Sequence, residues 1–105
     1  MAEKAKKITL TSQNILAMLG ENEELLKKRG VRRIGLFGSF ARNQGRVRSD
    51  LDFLVEFESP TFDNYMNLAF SLEKLFGRRI DLVTPDSLSL HVRPYIEKEV
   101  LWHEA

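Results

Sequence analysis

The sequence predicts an α/β protein, α+β-like in layout: a small mixed β-sheet with helices packed on it, in one domain over residues 1–105. Two observations make the sheet and the helices. "VRRIGLF", "LDFLVEF" and the shorter "RRIDLVT" are apolar runs of strand type, and the segments around them repeat their apolar residues with helical period. A third makes the sheet mixed. The first two strands are joined by only about a dozen residues, too few for a full crossover helix, so antiparallel pairing is favoured there.

Taken in order, "SQNILAMLGENEELLKKRG" is helical, with Ile15, Leu16, Leu19, Leu25 and Leu26 on its apolar side. Ser12 suits its N-cap and Gly30 its C-terminal stop, and Lys27, Lys28 and Arg29 complement the dipole. Gly20 is the expected break into two helices. "VRRIGLF" then places Ile34 and Leu36 on one side of a strand. "LDFLVEF" is the clearest strand: Leu51, Phe53, Val55 and Phe57 point one way, and Asp52, Leu54 and Glu56 the other. "SPTFDNYMNLAFSLEKLFG" is an amphipathic helix, capped by Ser59 or Thr61 and ended by Gly77. Its expected inward stripe is Phe62, Tyr65 or Met66, Ala69, Leu72, and Leu75 or Phe76. "RRIDLVT" is a third strand, stopped by Pro85. A final helix is expected from Arg93 to His103, with Pro94 in its first turn.

Composition narrows the function classes. The 105 residues, 43% hydrophobic and 30% charged, are those of an ordinary globular domain. A net charge of +1 gives no global attraction for nucleic acid, so a nucleic-acid partner is not expected. The absence of cysteine excludes disulfides and thiolate metal sites. "MAEKAKKITL" is basic but leads into no signal-peptide core, and no apolar run reaches membrane length. A soluble, cytoplasmic protein without a membrane partner is the expectation.

The chemistry concentrates in "GLFGSFARNQGRVRSDLDFLVEF", residues 35–57. On a strand, residues i and i+2 face the same side, so Asp50 and Asp52 can aim two carboxylates at one point. Paired anions repel, and a divalent cation relieves the repulsion. Oxygen ligands without nearby His or Cys suit Mg²⁺, or Mn²⁺. Mg²⁺ typically combines one or two carboxylates with substrate phosphates, which points to a nucleotide triphosphate. Gly38-Ser39 supplies a phosphate cradle: Gly38 permits a sharp turn, and Ser39 opens "SFARN" with a hydroxyl and free amides. Arg42, one turn on, adds charge-assisted contacts. Asp81, inside an apolar strand, joins the pair if its strand lies beside theirs. It then ligates a second metal or accepts the acceptor's proton, as in two-metal phosphoryl chemistry.

Together, Gly38-Ser39, the Asp50-Leu51-Asp52 pair and Asp81 resemble the motifs of the minimal nucleotidyltransferases of the DNA-polymerase-β-like superfamily. "PDSLSLHVRPYIEKEVLW" is similar to the family's C-terminal part, so the likeness covers most of the chain. One departure is Asn43, where relatives often carry Gly. The resemblance implies a nucleotidyltransferase fold. It implies Mg²⁺, two ions, as cofactor and ATP as substrate. It also implies transfer of AMP to a tyrosine of a HEPN-domain toxin, so that this chain acts as an antitoxin. Acceptor recognition is then expected from that partner or from a homo-oligomer.

Blander explanations stand beside these. Asp50 and Asp52 could form a solvated turn, Asp81 could pair with Arg78 or Arg79, Ser39 could be a plain N-cap, and Arg42 a surface residue. The basic runs "KKRGVRR" and "RVR" are ordinary solvated faces, and His91 and His103 lack ligand spacing. The functional alternative is an antitoxin or interaction module that neutralises a partner RNase by binding alone.

Overall fold

The computed structural model describes residues 10–103, so the basic segment 1–9 lies outside the described residues. The order is α1 (Ser12–Glu21), α2 (Glu23–Lys28), β1 (Val31–Phe37), β2 (Leu51–Phe57), α3 (Phe62–Phe76), β3 (Ile80–Val83), a 3₁₀ turn (Pro85–Ser87), α4 (Arg93–Glu99) and β4 (Leu101–His103). The four strands form one mixed sheet in the order β3-β2-β1-β4. β1 runs antiparallel to β2, as the short 38–50 connection favours, and also to β4, and β2 and β3 are parallel through the crossover helix α3.

Strand alternation divides the sheet into two faces. Leu51, Phe53 and Val55 of β2 join Ile34 and Leu36 of β1 and Leu82 of β3 in a core covered by Ile15, Leu19, Leu26, Leu68 and Leu72 from α1, α2 and α3. Phe53 is fully buried there, its ring centroid 5.7 Å from that of Phe76. The opposite face carries Phe37 and Leu54 under Val100, Ile96 and Leu88. Gly35 makes this second layer possible: a Cβ there would stand 2.5 Å from Val100 Cγ2 and 3.0 Å from the Trp102 ring. Arg33 stacks over Trp102 at 3.6 Å and pairs with Glu56 at 3.0 Å.

Several local expectations are corrected. The cap of α1 is Thr11, whose hydroxyl accepts from the Asn14 amide. Ser12 is instead buried, its amide donating to Asn43 Oδ1 at 2.8 Å. The break between α1 and α2 falls at Asn22, not Gly20, because the Asn22 side chain donates to the Met18 carbonyl and closes the first helix. Phe62 does not face the core; it is 76% exposed at the first position of α3, where Thr61 is the cap, and Leu68 and Leu72 take the buried stripe. The last helix ends at Glu99, and Leu101–His103 extends the sheet as β4. β-Branched Val100 is extended, and pairing with β1 outweighs continued helix. Among the described residues no helix is long and apolar enough to cross a membrane.

Candidate active site

The parallel register sets Asp52 directly opposite Asp81, and Leu54 opposite Val83. Opposed residues of neighbouring strands face the same side, so the two carboxyl groups lie side by side on the α4 face. On the other flank of β2, Asp52 lies opposite Phe37, the residue before the turn that begins at Gly38. Gly38 has φ +79°, and a Cβ there would stand 2.1 Å from Asp52 Oδ2. Only glycine satisfies both the left-handed backbone and that approach. The Gly-Ser turn and the acidic pair are therefore one packed unit.

After Gly38 the chain folds into overlapping turns rather than a regular helix. The Ala41 and Arg42 amides donate to the Gly38 carbonyl, and the Gln44 amide donates to the Ser39 carbonyl at 2.8 Å. Asn43 takes the left-handed conformation with φ 56°, as the sequence requires of a glycine substitute. Its side chain also holds Ser12, anchoring the loop to α1. The Ser39 and Phe40 amides make no hydrogen bond among the described residues. Those two donors open the turn and are what an anionic ligand would meet.

Asp52 is half-buried, and its pKa is raised from its ordinary value near 3.8 to about 6. Burial is the largest cause, followed by the charges of Asp81 and Asp50, the hydrogen bond with Asp81, and the charge of Glu99. Asp50 stands just before β2, with Oδ1 3.8 Å from Arg79 Nε. Arg79 is largely exposed and Asp50 partly so, and the pair holds Asp50 weakly. No three His, Asp or Glu side chains among the described residues are arranged to hold a metal ion as they stand. The donor set nevertheless has the right chemistry for a hard divalent cation. It is carboxylate oxygen only, and the repulsion from Asp81 and Asp50 that adds to burial in raising the Asp52 pKa is what a cation would relieve.

Of the residues singled out in the sequence, Asp52 lies between Gly38 on one side and Asp81 on the other, and Asp50 is near enough for its charge to act on Asp52. Ser39 opens the turn with its amide available. Arg42 is at the far end of that turn, bonded through Nη1 to Glu99 at 2.9 Å and through Nε to Gln44 at 3.3 Å. Neither Arg78 nor Arg79 pairs with Asp81 among the described residues. Arg79 reaches Asp50, and Arg78 donates to the Arg46, Val47 and Ser49 carbonyls, stacked over Phe40 at 5.0 Å. The residue that sequence reasoning missed is Glu99, which accepts from the Gly38 amide at 3.0 Å as well as from Arg42. Its one local signal is a carboxylate in the last turn of a helix, where the dipole disfavours it.

Comparison with known proteins agrees with this geometry. The profile of the nucleotidyltransferase domain family matches residues 19–103. Protein adenylyltransferase MntA of Thermococcus cleftensis is 38% identical over 95 residues, covering 89% of this chain and 96% of that one. A Methanocaldococcus jannaschii chain assigned as a protein adenylyltransferase, MJ1379, is 37% identical over 94 residues, covering 86% and 91%. A solved structure assigned as a minimal nucleotidyltransferase superposes with a TM-score of 0.77 at 31% identity, covering 90% of this chain and 98% of that one. A crystal structure of a toxin–antitoxin with AMP-PNP shares the fold, with a TM-score of 0.64 at 22% identity. It is covered to 74%, against 91% of this chain. The profile match over most of the chain and relatives of 37% and 38% identity show the family: the chain belongs to the nucleotidyltransferases.

Proposed function

We propose that this chain is a Mg²⁺-dependent protein adenylyltransferase that moves AMP from ATP to a hydroxyl of a toxin partner, a tyrosine of a HEPN-domain RNase, and so acts as a cytoplasmic antitoxin. The observation that carries this reading is the packing of the Gly38 turn against Asp52, with Asp81 alongside. It sets a turn with two backbone amides, unpaired among the described residues, beside two carboxyl groups, which supports phosphate binding there. The relatives named protein adenylyltransferases support the group transferred and the class of acceptor. The toxin–antitoxin structure with AMP-PNP supports an adenine nucleotide and a toxin partner.

The chain's own residues divide the work. The Ser39 and Phe40 amides, the Ser39 hydroxyl and the Arg42 guanidinium bind the triphosphate and hold its α-phosphorus over the carboxylates. Asp50, Asp52 and Asp81 would hold Mg²⁺, which neutralises charge on the leaving pyrophosphate and on the attacking oxygen. Asp81, exposed at the edge of the cluster, accepts the proton of the incoming hydroxyl. The acceptor oxygen forms a bond to the α-phosphorus, the bond from that phosphorus to the β-phosphate oxygen breaks, and pyrophosphate leaves with the electron pair.

Intact-mass spectrometry tests the proposal. The chain is co-expressed with the protein of its neighbouring gene and incubated with ATP and Mg²⁺. A gain of AMP units on the partner, lost in the Asp50→Asn/Asp52→Asn variant, is the expected result. A stable complex with no mass gain, and neutralisation unchanged in that variant, would reject catalysis in favour of an antitoxin acting by contact alone.

A further inference from the structure

Glu99 lies outside the Gly-Ser and Asp motifs, yet its carboxylate bridges the turn that would carry the phosphates. Oε2 accepts from the Gly38 amide at 3.0 Å, and Oε1 accepts from Arg42 Nη1 at 2.9 Å. One side chain thus ties the first and last residues of the Gly38–Arg42 turn to the end of α4. We propose that Glu99 is a positioning residue for nucleotide binding: it fixes the Gly38 turn and aims Arg42 at the triphosphate. The inference rests on the nucleotide-binding reading above.

Two features favour a fixed clamp over a carboxylate that phosphate displaces. Glu99 is followed by Val100, which is buried against Gly35 and leads into β4, so the backbone beneath the carboxylate is held by the sheet. The clamp also uses only the outer donors of the turn. The Ser39 and Phe40 amides stay available, and Arg42 keeps donors beyond the Nη1 and Nε bonds to Glu99 and Gln44. A charge-assisted, two-point contact of this kind pre-orders a side chain that would otherwise have to be ordered on binding. Because Glu99 touches no reacting atom, its removal is expected to weaken nucleotide binding while leaving the chemical step nearly intact.

The test compares Glu99→Ala and Glu99→Gln with the wild type in AMP-PNP binding with Mg²⁺, in steady-state adenylylation, and in amide exchange at Gly38. Expected are a roughly tenfold weaker Kd and higher KM for Glu99→Ala, with kcat within about twofold, and an intermediate effect for Glu99→Gln. The Gln variant keeps an acceptor for Gly38 but loses the charge that holds Arg42. The Gly38 amide is expected to exchange faster in Glu99→Ala. Tighter binding by Glu99→Ala would overturn the inference, because Glu99 would then occupy the phosphate site itself. Unchanged binding and exchange would overturn it too. If Glu99→Ala fails to fold, Glu99→Gln carries the same comparison. A wild-type chain that binds no AMP-PNP would reject the nucleotide-site reading instead, and Gly38 exchange would still report whether the clamp exists.

Discussion

Asp52 should weaken the fold in order to serve the site, and Asp52→Asn should expose that cost. Its pKa in the folded chain is raised to about 6, first by burial and then by Asp81 and Asp50. A raised carboxyl binds its proton more tightly in the folded state than in the unfolded one. Folding therefore loses stability as pH climbs from near 4 to near 6, and the full loss persists above. A rise from about 3.8 to about 6 corresponds to about 3 kcal/mol for a fully enclosed group. Asp52 is only half-buried, so solvent screening reduces this to about 1 kcal/mol. Asparagine has the same shape, carries no charge, and can donate to Asp81. In metal-free buffer at pH 7.5, Asp52→Asn should melt about 4–6 °C above the wild type. The gap should close as the pH is lowered to 4. Circular-dichroism melts at pH 4, 5, 6 and 7.5 measure it. Adding Mg²⁺ at ten times its Kd should raise wild-type stability at pH 7.5 by about 1.4 kcal/mol and leave Asp52→Asn nearly unmoved. A variant less stable than the wild type at pH 7.5, or a gap independent of pH, would refute this reasoning.

Three further outcomes are expected. Gly38→Ala forces a side chain into a left-handed backbone and onto Asp52 Oδ2, so urea unfolding should show a loss of at least about 1–2 kcal/mol, with transfer activity abolished. Tyr65→Phe removes the hydroxyl that donates to the Leu82 carbonyl, one residue after Asp81, and should cost about 1 kcal/mol in the same assay. Arg78→Ala releases three carbonyls of the loop carrying Asp50, so limited trypsin digestion after Arg46 and Arg48 should accelerate roughly tenfold, for about 1.4 kcal/mol of easier opening, while the far-UV spectrum stays unchanged.

What the sequence made legible was whatever depends on neighbours along the chain. The alternation in "LDFLVEF" assigns each residue of β2 to the correct face, because a period of two is a property of the backbone. The dozen-residue connection predicts the antiparallel β1–β2 pair for the same geometric reason. Errors gathered where a distant contact decided the matter. Ser12 is a good cap by type, but its amide is taken by Asn43, 31 residues away. Leu101–His103 continues a helical apolar pattern, but becomes strand because β1 has an unpaired edge to fill. Phe62 fits the stripe of α3 by spacing, yet lies at the first turn, beyond the edge of the core.

The site divides along the same line. Asp50 and Asp52 belong together by local spacing, whereas bringing Asp81 to them depends on a register no single segment encodes. That register was still inferable, because a carboxylate inside an apolar strand needs a reason, and a shared cation is one. Glu99 offered no comparable argument, since its partners lie 61 and 57 residues upstream. Its place depends on α4 giving way to β4 where it does. If the helix continued, Val100 would leave Gly35, and Glu99 would lose the support that holds it to the turn. The short last strand thus contributes to the candidate site as well as to the sheet: pairing with β1 keeps the carboxylate in reach of Gly38 and Arg42, so the proposed nucleotide site would feel a change in the C-terminal segment.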